Sequence, residues 1–255
     1  MPVADGGTVK TYKYTTDIKD GNVAEGEYIP LSKVSRTLDQ THAINLRKWR
    51  RNTSAEAIQS KGRDRAINGT DVKFVSGVQG LVKADLLSAI TGTTKTAPAG
   101  AGLQAALASM WGALNTIFED YDGFGDIDDG AVSPFVFFVN PTDVAKYLGT
   151  ATVTTQSAFG MGYLKDFLGL GTTFTSAKVT AGSVFGTAAR NVVVAYTPAN
   201  GSDLSQTFGL TSDATGLVGM THSVVTTNAT IDTLLMGGMK VFPEISDAVL
   251  KGTIS

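Results

Sequence analysis

The chain has 255 residues and a mass of 26.6 kDa, enough to bury a substantial core as one large domain or two modest ones. Apolar residues make up 42% and charged residues 17%, below the ~25% usual in soluble domains, which suits a protein that covers much of itself with partners. Cysteine is absent, so disulfides, thiolate metal sites and cysteine nucleophiles are excluded; no apolar run approaches the ~20 residues of a membrane helix, and the opening residues lack a signal-peptide apolar region. The net charge of −2 hides a split: residues 1–83 carry 14 Lys and Arg against 9 Asp and Glu, and residues 84–255 carry 7 against 14, so a balance of +5 precedes one of −7. Halves of opposite charge can attract each other between copies of a self-assembling chain.

TVKTYKYTT (8–16) alternates and is β-prone, which predicts an extended arm or strand. Turn chemistry follows at Asp20-Gly21-Asn22 and Glu25-Gly26. Residues 31–51 alternate loosely and end in the basic cluster Arg47, Lys48, Trp49, Arg50 and Arg51, which reads as part of a long two-stranded ribbon. An isolated hairpin with so few apolar residues is marginal in water and needs a neighbour. Thr53 or Ser54 can cap a short helix that ends at Gly62.

A long helix is predicted from about Thr70 to Ile90, with Val75, Val78, Val82, Leu86 and Ala89 on one face and Gly77 and Gly80 weakening it. Leu103, Leu107, Met110, Leu114, Ile117 and Tyr121 repeat in steps of four and three, the stripe of an amphipathic helix facing a core. PFVFFV (134–139) reads as a buried strand, and Asn140-Pro141-Thr142-Asp143 opens a helix through Leu148. Beyond Ala151 the pattern turns to strands between glycine-rich turns, clearest at NVVVAY (191–196), and LLMGGMKVFPEISDAVLKGTI reads as two closing strands with Pro243 at a break or edge. The class is α+β with a projecting ribbon.

Catalytic signatures are missing. His42 and His222 stand 180 residues apart with no cysteine to complete a zinc site, and there is no G-x-S-x-G elbow. Gly160-Met161-Gly162 and Gly169-Leu170-Gly171 do not extend to phosphate-binding loops and read as turns. The acidic stretch 119–129, with Glu119, Asp120, Asp122, Asp126, Asp128 and Asp129, offers oxygen ligands that would suit calcium, but its spacing fails the EF-hand pattern and a solvated turn explains it better. The basic cluster has the chemistry for phosphates and stacked bases. An inter-subunit role, pairing with Glu25, Glu27 or the 119–129 acids of a neighbour, competes with that, since the chain is acidic overall with a sequence pI of about 5.7. No catalytic, metal or cofactor residue is expected.

In chain order, GNVAEGEYIPLSKV (21–34), TSAEAIQSKGRDRAINGTD (53–71), FVNPTDVAKYLG (138–149), FGMGYLKDFLG (159–169), TGLVGM (215–220) and FPEISDAVLKGTI (242–254) resemble the major capsid proteins of siphovirus-type tailed bacteriophages, which have the Hong Kong 97 fold. The resemblance covers nearly the whole chain. It implies an N-terminal arm over 1–24 and an extended loop over 25–69 that lies on a neighbouring subunit. It further implies a peripheral domain with a spine helix over 70–134 and 221–255, and an axial domain over 135–220. Relatives usually carry more residues ahead of the TVKTYKYTT arm. The function implied is structural and not enzymatic: pentamers and hexamers of this chain, with portal and scaffold or other head proteins, enclosing double-stranded DNA in an icosahedral virion capsid. Glu25, Glu27, Arg47, Lys48, Trp49, Arg50 and Arg51 are the candidate contacts between subunits. Two other readings are an encapsulin-like nanocompartment shell and, further off, a soluble enzyme using the acidic loop 119–129.

Overall fold

The computed structural model describes residues 1–4, 6–119, 135–149, 156–158, 161–164, 170–199, 202–212 and 215–255. Strands β1 (Thr8–Asp17), β2 (Lys33–Ala43) and β3 (Leu46–Ser54) lead into helix α1 (Ala55–Lys61), a π-helical turn (Asp64–Asn68) and the long helix α2 (Gly69–Thr91). Helix α3 (Gly102–Glu119), strand β4 (Phe135–Val139) and helix α4 (Pro141–Leu148) follow. Next come β5 (Gln156–Ala158), β6 (Met161–Leu164), β7 (Thr172–Thr175), β8 (Ser183–Ala188) and β9 (Val192–Thr197). Helix α5 (Asp203–Phe208) precedes β10 (Thr211–Ser212), β11 (Gly219–Val225), β12 (Thr230–Pro243) and β13 (Leu250–Thr253).

Capping residues set the helix ends that the sequence predicts. The Ser54 hydroxyl accepts from the Ala57 amide at the start of α1, and Gly62 closes that helix at a φ of 78°, a left-sided conformation that favours glycine. The Asn140 side chain accepts from the Thr142 amide ahead of α4, with Pro141 in the first turn where its missing N–H costs nothing.

Two compact units form, one from residues 1–9, 42–89 and 193–242, the other from 10–41, 90–192 and 243–255. In the second unit a six-stranded sheet runs in the order β13-β8-β4-β7-β6-β5, with β4 antiparallel to β8 and parallel to β7. Helix α3 buries Leu103, Leu107, Met110 and Leu114 in a core shared with Phe135, Phe137, Val184 and Leu250, as its spacing predicts. Ile117 is only partly buried and Phe118 takes the deeper place, while Tyr121 lies outside the described residues. Gly186 permits this packing. A Cβ there would meet Met110 Cγ at 2.8 Å and Phe137 Cδ1 at 3.0 Å, so any side chain would push the helix off the sheet.

The first unit is built on a five-stranded sheet, β10-β11-β12-β3 with β9 also paired to β12. Along α2, Val78 is buried and Val75, Val82, Leu86 and Ala89 are half-buried, whereas Gly77 and Gly80 fall on the exposed side, where a missing side chain removes no packing. A small core of Ile44, Ala195 and Phe242 gathers Val3, Val9 and Val193, and the His42 ring stacks on Phe242 at 3.8 Å.

One sequence expectation changes here. Residues 25–69 do not form one self-paired ribbon: β2 pairs with β1, and β3 pairs antiparallel with β12 over nine positions, from Ser54↔Thr230 to Leu46↔Gly238. The ribbon is therefore β1–β2 and begins earlier, because the apolar partner that β3 needs lies far along the chain. Each of the two units is contiguous in packing and not in sequence. Helix α3 sides with β4 because its stripe packs there, residues 193–220 join β11 and β12 through β9 and β10, and β13 pairs with β8.

Candidate assembly surface

The β1–β2 ribbon and the segment joining its strands expose apolar side chains to an unusual degree. Among the described residues fifteen large apolar side chains are exposed, and seven of them (Tyr14, Ile18, Tyr28, Ile29, Leu31, Val34 and Leu38) lie within residues 14–38. Scattered single exposures are ordinary, whereas this segment concentrates seven of them within one stretch of chain. Tyr28 is 88% exposed and Leu31 84%, so almost none of either is covered by its own chain. The Arg36 guanidinium sits 3.5 Å from the Tyr12 ring centroid, a cation–π contact that stiffens one face of the ribbon. Glu25 and Glu27 flank Gly26 in the exposed connection, where a φ of 84° makes the turn.

The basic cluster sits elsewhere. All five residues lie on β3, alternating between its two faces as a strand requires. Arg47 meets Asp85 at 2.5 Å, Arg50 meets Asp232 at 2.6 Å and Arg51 meets Asp71 at 2.6 Å, every partner belonging to the same unit. Within the chain these three arginines therefore already have acidic partners, with the Arg50 side chain still 62% exposed. Lys48 is exposed and Trp49 half-buried. Of the 119–129 acids, residues 120–129 lie outside the described residues.

Asp71 is the polar centre of the first unit. Register places His222 opposite Thr233 and Thr233 opposite Arg51, so three strands present one polar row. The first turn of α2 lowers Asp71 onto that row, where Arg51 Nη2 donates at 2.6 Å, Thr233 Oγ1 at 3.0 Å and His222 Nε2 lies at 2.8 Å. Burial pushes the Asp71 carboxyl up, but the hydrogen bonds from His222, Arg51 and Thr233 and the charge of Arg51 outweigh it and hold the group below the usual carboxylate range. The one sequence signal for this centre is an acid at the head of the Val75, Val78, Val82 stripe, and neither Arg51 nor His222 is near it in the chain. Beside it a groove of about 470 Å³ is lined by Asn68, Val72, Val75, Gln79, Met220 and His222.

His42 is packed on Phe242 and His222 on Asp71, and among the described residues no three His, Asp or Glu side chains converge to hold a metal ion. No described helix is long and apolar enough to cross a membrane.

No protein-family model matches the chain, and no curated protein matches its sequence. Solved structures do match its fold. The capsid of a native GTA particle superposes with a TM-score of 0.63 at 10% identity, covering 100% of this chain and 87% of that one. The capsid of cyanophage A-1(L) gives 0.62 at 9% identity, over 99% of this chain and 89% of that one. The holo-SrpI encapsulin of Synechococcus elongatus PCC 7942 gives 0.61 at 12% identity, over 99% and 83%. Matched nearly end to end to phage capsid and encapsulin shell proteins alike, the chain has the α+β fold of the Hong Kong 97 type.

Proposed function

We propose that this chain is the major capsid protein of a tailed bacteriophage, assembling into pentamers and hexamers of an icosahedral head around double-stranded DNA. The observation that supports the reading is the exposed apolar ribbon at 14–38, a surface that neighbouring copies in a shell would cover. Interlocking ribbons of this kind would bury the several thousand Å² typical of obligate assemblies. In this reading α2 is the spine helix of a peripheral domain formed by the first unit, and the second unit is the axial domain. Glu25, Glu27, Arg47, Lys48, Trp49, Arg50 and Arg51 are the contact residues proposed toward neighbouring subunits. Portal and scaffold proteins would be the other partners in the head, and DNA would meet the shell without sequence preference. The protein works by association and carries out no catalysis.

Negative-stain microscopy of the expressed protein, followed by nuclease treatment and extraction of the particles, tests this. Closed shells are expected, with protected DNA in particles recovered from phage-producing cells. Shells that enclose protein cargo in place of DNA would favour an encapsulin-type compartment, and a stable soluble monomer would overturn both.

A further inference from the structure

The ribbon is fastened to the second unit by charge and not by packing. None of residues 10–41 belongs to the apolar core of that unit among the described residues. Its inner face instead carries Lys13, whose Nζ lies 3.1 Å from Asp39 Oδ1 across the ribbon and 2.6 Å from Asp247 Oδ2 in the turn Ser246–Ala248. Lys95 approaches the other Asp247 oxygen at 3.5 Å, and the Ser246 hydroxyl donates to Asp39 Oδ2 at 3.0 Å. One lysine of the ribbon thus bridges its own partner strand and the body of the unit.

We infer that Lys13, Asp39, Asp247 and Lys95 form a releasable clasp, which holds the ribbon of a free subunit against its own second unit and opens when another copy takes up the ribbon's apolar face. Such a device needs contacts strong enough to place the ribbon yet cheap to undo, and half-exposed ion pairs fit, since water and salt replace them at small cost. A packed apolar seat beneath residues 10–41 would be too costly to open; the apolar packing of Val9 and His42 lies at the root of the two strands. Both partners stay charged at neutral pH. The Asp247 hydrogen bond raises the Lys13 ammonium against the effect of burial, with Asp39 adding to it, and the Lys13 hydrogen bond correspondingly lowers the Asp247 carboxyl. The clasp is a property of the free subunit. Only what displaces it rests on the shell reading above.

Hydrogen exchange followed by mass spectrometry on the full-length subunit tests the clasp. In Lys13→Gln the amides of 10–17 and 33–41 should exchange about tenfold faster, the loss expected from a few charge-assisted hydrogen bonds, while β4 and β8 keep their protection. Molar salt should move the wild type the same way, and Lys13→Arg, which retains the charge, should remain slow. Unchanged ribbon exchange in Lys13→Gln would overturn the clasp, as would acceleration spread equally over β4 and β8, because the cluster would then be holding the whole unit. Particle formation supplies the separate readout. Lys13→Gln should assemble at lower protein concentration than wild type, and a normal threshold despite a freed ribbon would refute the competition. Faster ribbon exchange with no particles from either protein would strike the shell reading and leave the clasp standing.

Discussion

Leu114→Ala tests whether α3 serves the inside of the subunit or a contact between subunits. Leu114 is fully buried, and its Cδ1 would lie 3.2 Å from a Cβ at Gly186, so it packs beside Met110 where the helix meets β8. Removing three carbon groups at about 0.8 kcal/mol each sets a floor near 2.4 kcal/mol. The cavity left behind adds to that, since a helix packed against a sheet can close only part of the space, and about 3–5 kcal/mol is expected. Against a margin of roughly 5–15 kcal/mol for a whole domain, this should lower the urea midpoint of the isolated subunit sharply and send much of the expressed protein into aggregates. Gly186→Ala alone should destabilise by about 1–3 kcal/mol through overpacking against Met110 Cγ at 2.8 Å. In the double variant the new methyl occupies some of the vacated space, so the two losses should sum to less than their separate values. Denaturant unfolding of the four proteins gives the coupling. Well-folded Leu114→Ala subunits with a wild-type midpoint that fail only to assemble would refute the reasoning.

Arg51→Gln should cost about 2–4 kcal/mol, because it strips the charged partner from a carboxylate buried on the sheet, whereas Arg50→Gln, whose own side chain is 62% exposed although its partner Asp232 is only 10% exposed, should cost about 1–2 kcal/mol. Thermal melting of both variants checks this; equal losses would show that the two faces of β3 are not distinguished as described. Acid should act through Asp71. Its folded pKa is depressed, so its contribution to stability is present above the unfolded value of about 3.9 and is lost as the pH falls from there through the folded value. The melting-temperature difference between wild type and Asp71→Asn should therefore shrink as the pH falls below about 4, and parallel curves from pH 5 down to pH 3 would contradict it.

Local chemistry determined a good deal of this protein from sequence alone. The stripe of Leu103, Leu107, Met110 and Leu114 could serve only a helix with one buried face, PFVFFV only a strand covered on both sides, and the caps at Ser54 and Asn140 only helix starts. These signals act within a few residues, where backbone geometry alone relates side chains to one another. The pairing of distant segments was decided by tertiary structure. Nothing in Arg47 to Arg51 indicates that β12, some 180 residues later, supplies the neighbouring strand and Asp232, or that Asp71 rises between Arg51 and His222. A run of arginines looks alike whether its acids lie on another molecule or on its own sheet, because charge carries no register. Lys13 and Asp247 likewise meet across 234 positions with no periodicity to announce them. Strand register, set by which apolar faces bury together, decided which charges are satisfied within the chain and left the ribbon at 14–38 with its apolar side chains still exposed.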